Sequence, residues 1–182
     1  MSYYRQQLEE WLAGLNVKAH TVYDIGGAQG HVRERVKRWQ VINYKVLDLP
    51  EYDLSGYDWW IDEHEELKDS ADLIFCLEVF EYLIDPVRAM ENLEFVMKPG
   101  GRAYVTFQFV YPHHNELEMD SLRYTEFGIK RLAEKVGLKI NNIWYRRDRS
   151  GLLESFYKMD GMRAAKQYPH HDTTGFIVEF ER

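Results

Sequence analysis

A glycine-rich turn separates a short apolar run from a charged amphipathic segment in TVYDIGGAQGHVRERV, residues 21–36. The pattern predicts a β-strand, a tight turn and a helix, the unit that binds nucleotide-type ligands in many α/β proteins. The P-loop pattern, which ends in Gly-Lys-Ser or Gly-Lys-Thr, is absent. The dinucleotide pattern Gly-x-Gly-x-x-Gly is broken, because Ala28 and His31 stand where its second and third glycines belong.

Strand-like and helix-like segments alternate along the rest of the chain. The apolar patterns predict strands at 21–27, 44–49, 57–62, 71–77, 102–109, 139–146 and 174–181, and main helices at 1–16, 31–39, 85–101 and 121–137. This alternation predicts a doubly wound α/β fold: a mostly parallel, seven-stranded, Rossmann-like sheet with helices on both faces. We expect one domain over residues 1–182. The insertion at 148–173, between the last two strands, is long enough for a short helix and is a candidate lid or homodimer surface.

Composition narrows the choice of partners and compartment. The net charge of −7 disfavours nucleic acid, because binding it requires neutralised phosphates. No apolar run reaches the length of a membrane span, and the acidic N-terminal segment is unlike a signal peptide. Cys76 is the only cysteine, so we expect no disulfide and no cysteine-rich metal site. These features predict a cytoplasmic protein without a metal centre.

The spacing Asp24-x-Gly26-x-Ala28-x-Gly30 resembles the first motif of class I S-adenosylmethionine-dependent methyltransferases, with an alanine at the usual middle glycine. Later segments resemble the same family in the same order. They are DLIFCLEVFEYLIDP at 72–86, MKPGGRAYVTF at 97–107 and RYTEFGIKRLAEKVGLKI at 123–140. The resemblance thus runs from about residue 21 to the end of the chain, and it implies S-adenosylmethionine as the cofactor.

The resemblance also implies roles for individual residues. Asp24 would lie near the cationic part of the cofactor, and the free N–H groups at the following helix start would suit its carboxylate. Asp48, at the end of the second strand, would accept hydrogen bonds from the ribose hydroxyls, and Asp62 or Glu63 would meet the adenine amino group. The complete set of expected cofactor contacts is Asp24, Gly26, Gly27, Ala28, Gly30, Asp48, Leu49, Asp62, Glu63, Leu77 and Glu78.

Candidate catalytic residues are fewer, because methyl transfer from a sulfonium depends mainly on alignment and exclusion of water. His113 and His114 follow the fifth predicted strand and titrate in the range suited to a base. Tyr82 stands where the family often has histidine, and a phenol with a pKa near 10 is a poor substitute for that base. Arg146 either helps to bind an anionic substrate or lies at a solvated strand end.

These features together predict an S-adenosylmethionine-dependent methyltransferase that acts on an oxygen, nitrogen or carbon of a small molecule. The main alternative is a non-catalytic relative that binds S-adenosylmethionine or S-adenosylhomocysteine in a regulatory or partner-binding role. A nicotinamide-dependent oxidoreductase is disfavoured by the broken dinucleotide pattern. Modification of RNA or protein is disfavoured because we expect no added recognition domain in this chain. The negative net charge of the chain further disfavours RNA.

Overall fold

The computed structural model describes residues 2–27, 30–48, 65–112, 120–159 and 171–182. Within these ranges the helices are α1 (Tyr3–Gly14), α2 (Val32–Arg35), α3 (Pro86–Val96), α4 (Glu126–Val136) and α5 (Leu152–Met159). The strands are β1 (Asn16–Ile25), β2 (Arg38–Leu47), β3 (Ala71–Cys76), β4 (Met97–Gln108), β5 (Lys139–Arg147) and β6 (Thr173–Glu181). Short 3-10 turns lie at Glu65–Leu67 and Phe80–Tyr82. None of the described helices is long and apolar enough to cross a membrane.

The strands form one sheet in the order β2-β1-β3-β4-β6-β5. Neighbours from β2 to β4 are parallel, whereas β6 runs antiparallel to both β4 and β5. This arrangement confirms the predicted doubly wound, mostly parallel α/β fold. Six of the seven predicted strands are described, and the remaining one, at 57–62, lies outside the described residues.

Apolar side chains cover both faces of the sheet. On one face, Ile74 and Cys76 belong to a buried cluster with residues of α3 and α4. On the other face, Leu73 and Phe75 pack with residues of α1 and α2, including Leu12. Successive strand residues point to opposite faces, so a strand covered on both sides is apolar along most of its length, as β3 is from Leu73 to Cys76. The prediction of helices on both faces is confirmed.

The ends of the two longer crossover helices follow local signals. Asp85 caps α3 by accepting a hydrogen bond from the Arg88 backbone N–H at 3.0 Å, and Pro86 occupies the first turn. Thr125 caps α4 in the same way, through the Gly128 N–H at 3.1 Å. Gly137 ends α4 with φ of 78°, in the left-handed region that glycine adopts without strain. The predicted stop at this glycine is confirmed.

The predicted helix at 31–39 is wrong beyond its first turn. Helix α2 ends at Arg35, and β2 begins at Arg38, so Trp39 lies in the strand. Trp39 and Val41 both pack against the cluster that contains α1, whereas Arg38 before them and Gln40 between them are exposed. The apolar residues here therefore follow the two-residue period of a strand.

The predictions of the last two strands, β5 and β6, are confirmed. Helix α5 lies within the insertion predicted at 148–173. The part of that insertion at 160–170 lies outside the described residues. Its role as a lid or dimer surface therefore stays a prediction.

The Pro-Gly-Gly segment at the start of β4 generates a stability prediction. A Cβ atom at Gly101 would lie 2.8 Å from the Lys98 carbonyl oxygen and 3.0 Å from that of Ala71. Both atoms belong to paired strands, so we expect Gly101→Ala to lower the free energy of unfolding by about 1–3 kcal/mol, measured in urea. Gly14→Ala is the control, because its Cβ meets nothing within 4 Å. Equal stability of Gly101→Ala and wild type would contradict the prediction.

Candidate functional site

The carboxyl ends of the parallel strands meet at one edge of the sheet. Ile25, at the end of β1, is in register with Leu47 of β2 and Cys76 of β3, and Cys76 is in register with Val105 of β4. The crossovers from β1 and from β3 run in opposite directions along the sheet. Ligands of open α/β sheets bind outside the strand ends at this reversal, which places the candidate site beyond β1 and β3.

The turn after β1 has no room for side chains at two positions. Gly26 has φ of 73°, and a Cβ there would lie 2.4 Å from Val79 Cγ2. A Cβ at Gly27 would lie 2.4 Å from the carboxyl carbon of Asp24. By contrast, the Cβ position of Gly30 has no atom within 4 Å. Packing in the described residues therefore requires glycine at 26 and 27, and not at 30.

Asp24 supports this turn from within the protein. Its side chain is buried, and Oδ2 accepts hydrogen bonds from the Val32 backbone N–H at 2.8 Å and the Tyr44 hydroxyl at 2.5 Å. Burial raises the pKa of Asp24, and these two hydrogen bonds oppose the rise. One carboxylate therefore joins the ends of β1 and β2 to the start of α2.

This contact changes the expected electrostatics of the helix start. Helix α2 has four residues, and its first N–H is donated to Asp24. A single turn has only a small dipole, and Asp24 already offsets it. The sequence interpretation assigned this helix start to the carboxylate of a ligand, whereas the structure shows Asp24 in that role. Cofactor contacts by Asp24 and by the backbone around Gly30 stay predictions.

The predicted ribose ligand, Asp48, directly follows β2 and is partly exposed. The Gly26 backbone N–H donates to the Leu47 carbonyl at 2.9 Å, which ties the glycine turn to the strand end that carries Asp48. Several other predicted site residues lie outside the described residues: Ala28, Leu49, Asp62, Glu63, His113 and His114. Within the described ranges, no group of three or more His, Cys, Asp or Glu side chains is arranged to hold a metal ion.

Glu78, directly after buried Leu77, has a backbone conformation that is uncommon for a residue with a side chain. Its φ is 60°, and its N–H donates to the Thr106 hydroxyl at 2.6 Å. Its carboxylate accepts a hydrogen bond from Arg146 at 2.6 Å. A left-handed non-glycine residue costs of order 1 kcal/mol or more and is frequent at functional sites.

A set of polar side chains lies buried beside the same strand ends. We call Tyr4, Glu78, Glu81, Gln108 and Arg146 the buried polar cluster. The Arg146 guanidinium stacks 3.1 Å from the Tyr4 ring centroid and also donates to the Tyr4 carbonyl at 2.9 Å. Only 1% of Arg146 is exposed, so the solvated strand end considered from the sequence is wrong. Helix α1 covers β5 at this position.

Glu81 is the most deeply buried carboxyl of the cluster. It is 0% exposed, and its Oε1 accepts a hydrogen bond from Gln108 Nε2 at 2.5 Å. Burial, followed by the charge of Glu78, raises the pKa of Glu81 to about 8. Within the described ranges, neither Oε2 of Glu81 nor Oε1 of Gln108 has a hydrogen-bond partner. Glu81 lies within the 72–86 segment that resembles the family, three residues after Glu78, and no role was predicted for it from the sequence.

Tyr82 lies next to this carboxyl and is half-buried. Burial, with the charge of Glu81 second, raises the pKa of its hydroxyl above the ordinary value. The phenol therefore remains protonated at neutral pH and suits donation of a hydrogen bond rather than removal of a proton. A catalytic role for Tyr82 stays a prediction.

Side-chain hydrogen bonds connect helix α1 to the elements on either side of the candidate site. The Gln7 side chain exchanges two hydrogen bonds with the Arg147 backbone, at 3.1 Å and 2.7 Å. Glu9 accepts two hydrogen bonds from the Arg35 guanidinium, at 2.9 Å and 3.0 Å. The first pair holds α1 to the end of β5, and the second holds it to α2, beside the glycine turn.

A family model described as a methyltransferase domain matches residues 2–165. The chain belongs to the class I S-adenosylmethionine-dependent methyltransferase family. The matched residues include α1, the glycine turn and all of the buried polar cluster.

Solved structures share the fold of this methyltransferase domain. An S-adenosylmethionine-dependent methyltransferase from Mesorhizobium loti has a TM-score of 0.56 and 11% identity, over 98% of this chain and 98% of that one. The mitomycin 7-O-methyltransferase MmcR has a TM-score of 0.60 and 18% identity, over 97% and 53%. The cyclase SpnF has a TM-score of 0.60 and 14% identity, over 97% and 80%. At these identities the likeness shows the fold alone. Comparison with curated proteins gave no match.

The crowding at Gly27 can be tested against the open space at Gly30. Gly27→Ala would force its methyl group into the Asp24 carboxyl, so we expect a loss of about 1–3 kcal/mol in the free energy of unfolding. Gly30→Ala is the matched control and should change stability by less than about 0.5 kcal/mol. Urea unfolding of both variants measures the difference. Similar losses at the two positions would contradict the packing described for the turn.

Glu81 should make the stability of this protein depend on pH. Its pKa is about 8 in the folded protein against an ordinary value of 4.5, so between these values the folded state holds a proton that the unfolded chain releases. The stabilisation is complete below the lower value and is lost as pH rises through the higher one. The slope approaches about 1.4 kcal/mol per pH unit. Urea unfolding from pH 5 to 9 should show this decline in wild type and a flatter profile in Glu81→Gln.

Glu179→Gln is the control for that experiment. Glu179 is also a buried carboxyl, but it lies farther along the sheet and is paired with Arg102 and Asn142. It should retain the wild-type slope. A pH profile unchanged by Glu81→Gln would show that this carboxyl does not hold the proton.

Proposed function

We propose that this protein transfers the methyl group of S-adenosylmethionine to an oxygen, nitrogen or carbon of a small-molecule acceptor. The observation that carries the proposal is the narrow glycine turn at the strand reversal, in a chain whose family is that of methyltransferases. At Gly26 and Gly27 the main chain borders the candidate site without side chains. Such a turn allows close approach of a ligand to the backbone.

The described residues fit a nucleoside with an amino-acid tail. Asp48 is partly exposed at the end of β2 and would accept hydrogen bonds from the ribose hydroxyls. The turn at Gly26 and Gly27 would border the tail, and Leu77 and Glu78, after β3, would line the opposite side. Contact of Asp62 or Glu63 with adenine is part of the same proposal and rests on the sequence resemblance.

When bound, S-adenosylmethionine supplies a methyl group on a positively charged sulfur, which is already activated for displacement. The protein then has to align the acceptor and keep water away. Helix α1 contributes to this exclusion, since Gln7 and Glu9 fasten it to Arg147 and Arg35 across the site. A base is needed only for an acceptor that binds in a protonated form.

A second candidate function is cofactor binding without turnover, in a regulatory or partner-binding role. The feature that favours it is Tyr82, whose protonated hydroxyl occupies the position where relatives often have histidine. Cofactor binding together with no methyl transfer to any acceptor in a broad small-molecule screen would favour this second function.

Calorimetry tests the cofactor assignment directly. We expect wild type to bind S-adenosylmethionine and S-adenosylhomocysteine and not to bind NAD. Asp48→Ala removes two potential acceptor atoms for the ribose, so we expect affinity for both compounds to fall by about tenfold or more. Glu91→Ala, on the exposed face of α3, is the control and should bind as wild type does. Unchanged affinity in Asp48→Ala would overturn the ribose assignment, and failure of wild type to bind either compound would overturn the proposed function.

A further inference from the structure

We propose that the buried polar cluster binds a protonated amine of the methyl acceptor, with Glu81 Oε2 and Gln108 Oε1 accepting its N–H groups. The inference rests on the proposed function and names its substrate class, a small molecule that carries a protonated primary or secondary amine. This ammonium is the group that is recognised, because without a lone pair it does not itself accept the methyl group. Three observations support it: the missing hydrogen-bond partners, the charges of the cluster and its position at the strand ends.

Missing partners are concentrated in this cluster. In the described residues, six buried side-chain polar atoms have no hydrogen-bond partner, and four of them belong to Tyr4, Glu81, Gln108 and Arg146. Leaving one such atom unsatisfied costs roughly 1–3 kcal/mol, so native proteins rarely gather several in one place without a bound group. Of the four atoms, the Glu81 and Gln108 oxygens lie on side chains that are hydrogen-bonded to each other. The two side chains that carry these acceptors are therefore adjacent.

The charges of the side chains around these two acceptors favour binding of a cation. Arg146 is already paired with Glu78 at 2.6 Å. Arg123 is paired with both carboxylate oxygens of Asp120, at 2.5 Å and 2.8 Å. Both nearby guanidinium groups are therefore occupied by other carboxylates, and Glu81 has no cationic partner among the described residues. A buried carboxylate remains ionised at low cost only when an opposite charge accompanies it.

An ammonium group meets both requirements at once. It supplies several N–H donors for the two free oxygens and a positive charge for Glu81. A hydroxyl supplies one donor and no charge, and a carboxylate would be repelled by Glu81 and Glu78. A buried water would satisfy the hydrogen bonds but, being uncharged, would not stabilise the ionised form of Glu81 as an ammonium does.

The protonation of Glu81 is consistent with such a role. With its pKa near 8, the carboxyl is mostly protonated at neutral pH, and a bound cation would lower that pKa and release the proton. The ionisable groups that surround Glu81 come from every neighbouring element: Tyr4, Cys76, Glu78, Tyr82, Asp120, Arg123, Tyr124 and Arg146. Among these only the two arginines are cationic, and both are paired.

The cluster lies where an acceptor has to bind. Gln108 is the last residue of β4, and Glu81 lies in the 3-10 turn after β3, three residues beyond Glu78. Tyr4 of α1 closes the cluster, with its ring on Arg146 and its centroid 4.4 Å from that of Tyr111.

The test uses three small probes that share a hydroxyl-bearing two-carbon frame: ethanolamine, ethylene glycol and glycolate. They present an ammonium, a hydroxyl and a carboxylate. Each is titrated at pH 7 and constant ionic strength into full-length protein saturated with S-adenosylhomocysteine, and binding is followed by saturation-transfer NMR. We expect ethanolamine to bind at least about tenfold more tightly than the other two probes, because only it forms charge-assisted hydrogen bonds.

Variants identify the atoms responsible. In Glu81→Gln, which keeps the shape and the amide contact, affinity for ethanolamine should fall to that for ethylene glycol. Gln108→Met keeps the charge and loses one acceptor, so its loss should be smaller, about fivefold. Glu179→Gln should bind as wild type does. Calorimetry in buffers of different ionisation enthalpy should detect proton release on ethanolamine binding to wild type, and none in Glu81→Gln.

The failures of the two proposals are distinguishable. If S-adenosylhomocysteine binds but the three probes bind alike, or if Glu81→Gln binds ethanolamine as wild type does, the amine inference is wrong and the proposed function stands. If neither S-adenosylmethionine nor S-adenosylhomocysteine binds, the proposed function itself is wrong.

Discussion

The two hydrogen bonds accepted by Asp24 hold the candidate cofactor site in shape. A single buried oxygen bonds the first N–H of α2 and the hydroxyl of Tyr44 on β2. The same carboxyl fills the space that a side chain at Gly27 would need. The path of the backbone at the strand reversal is therefore set by an interaction internal to the protein. Cofactor binding can then use a turn that is already formed, which lowers the entropy cost of association.

Most of the fold was predictable because its signals are local. The Asp85 cap, the Gly137 stop and the apolar run of β3 each act through their near neighbours in sequence. The helix predicted at 31–39 failed because Trp39 fits both a helical and an alternating pattern. That ambiguity is resolved only by the pairing of β2 with β1, which places Trp39 opposite Val17. Pairing of this kind is non-local and leaves no mark in a short window of sequence.

The site was predictable only where a motif marks it. The sequence resemblance located Asp24 and Glu78, but it did not reveal that Asp24 bonds inward or that Glu78 pairs with Arg146. The contact between Arg146 and Tyr4 joins residues 142 positions apart and buries a guanidinium that the sequence shows only at the end of a strand. Charged residues at strand ends are usually solvated, so burial of this one depends on the docking of α1.

Asp24 and Glu81 are both buried carboxyls with raised pKa values, but we infer different roles for them. Asp24 has two donors supplied by its own chain, and its role is complete without a ligand. Among the described residues, Glu81 accepts one side-chain hydrogen bond, from Gln108, has no cationic partner of its own, and has no partner for Oε2. Burial is the largest cause of both raised pKa values, and at Glu81 the charge of Glu78 adds to it, so the two carboxyls differ in their hydrogen bonds and neighbouring charges rather than in desolvation. A carboxyl whose hydrogen bonds are all made within the protein stabilises the folded backbone. A buried carboxyl oxygen without a donor destabilises the unliganded protein, and a ligand that donates a hydrogen bond to it removes that cost.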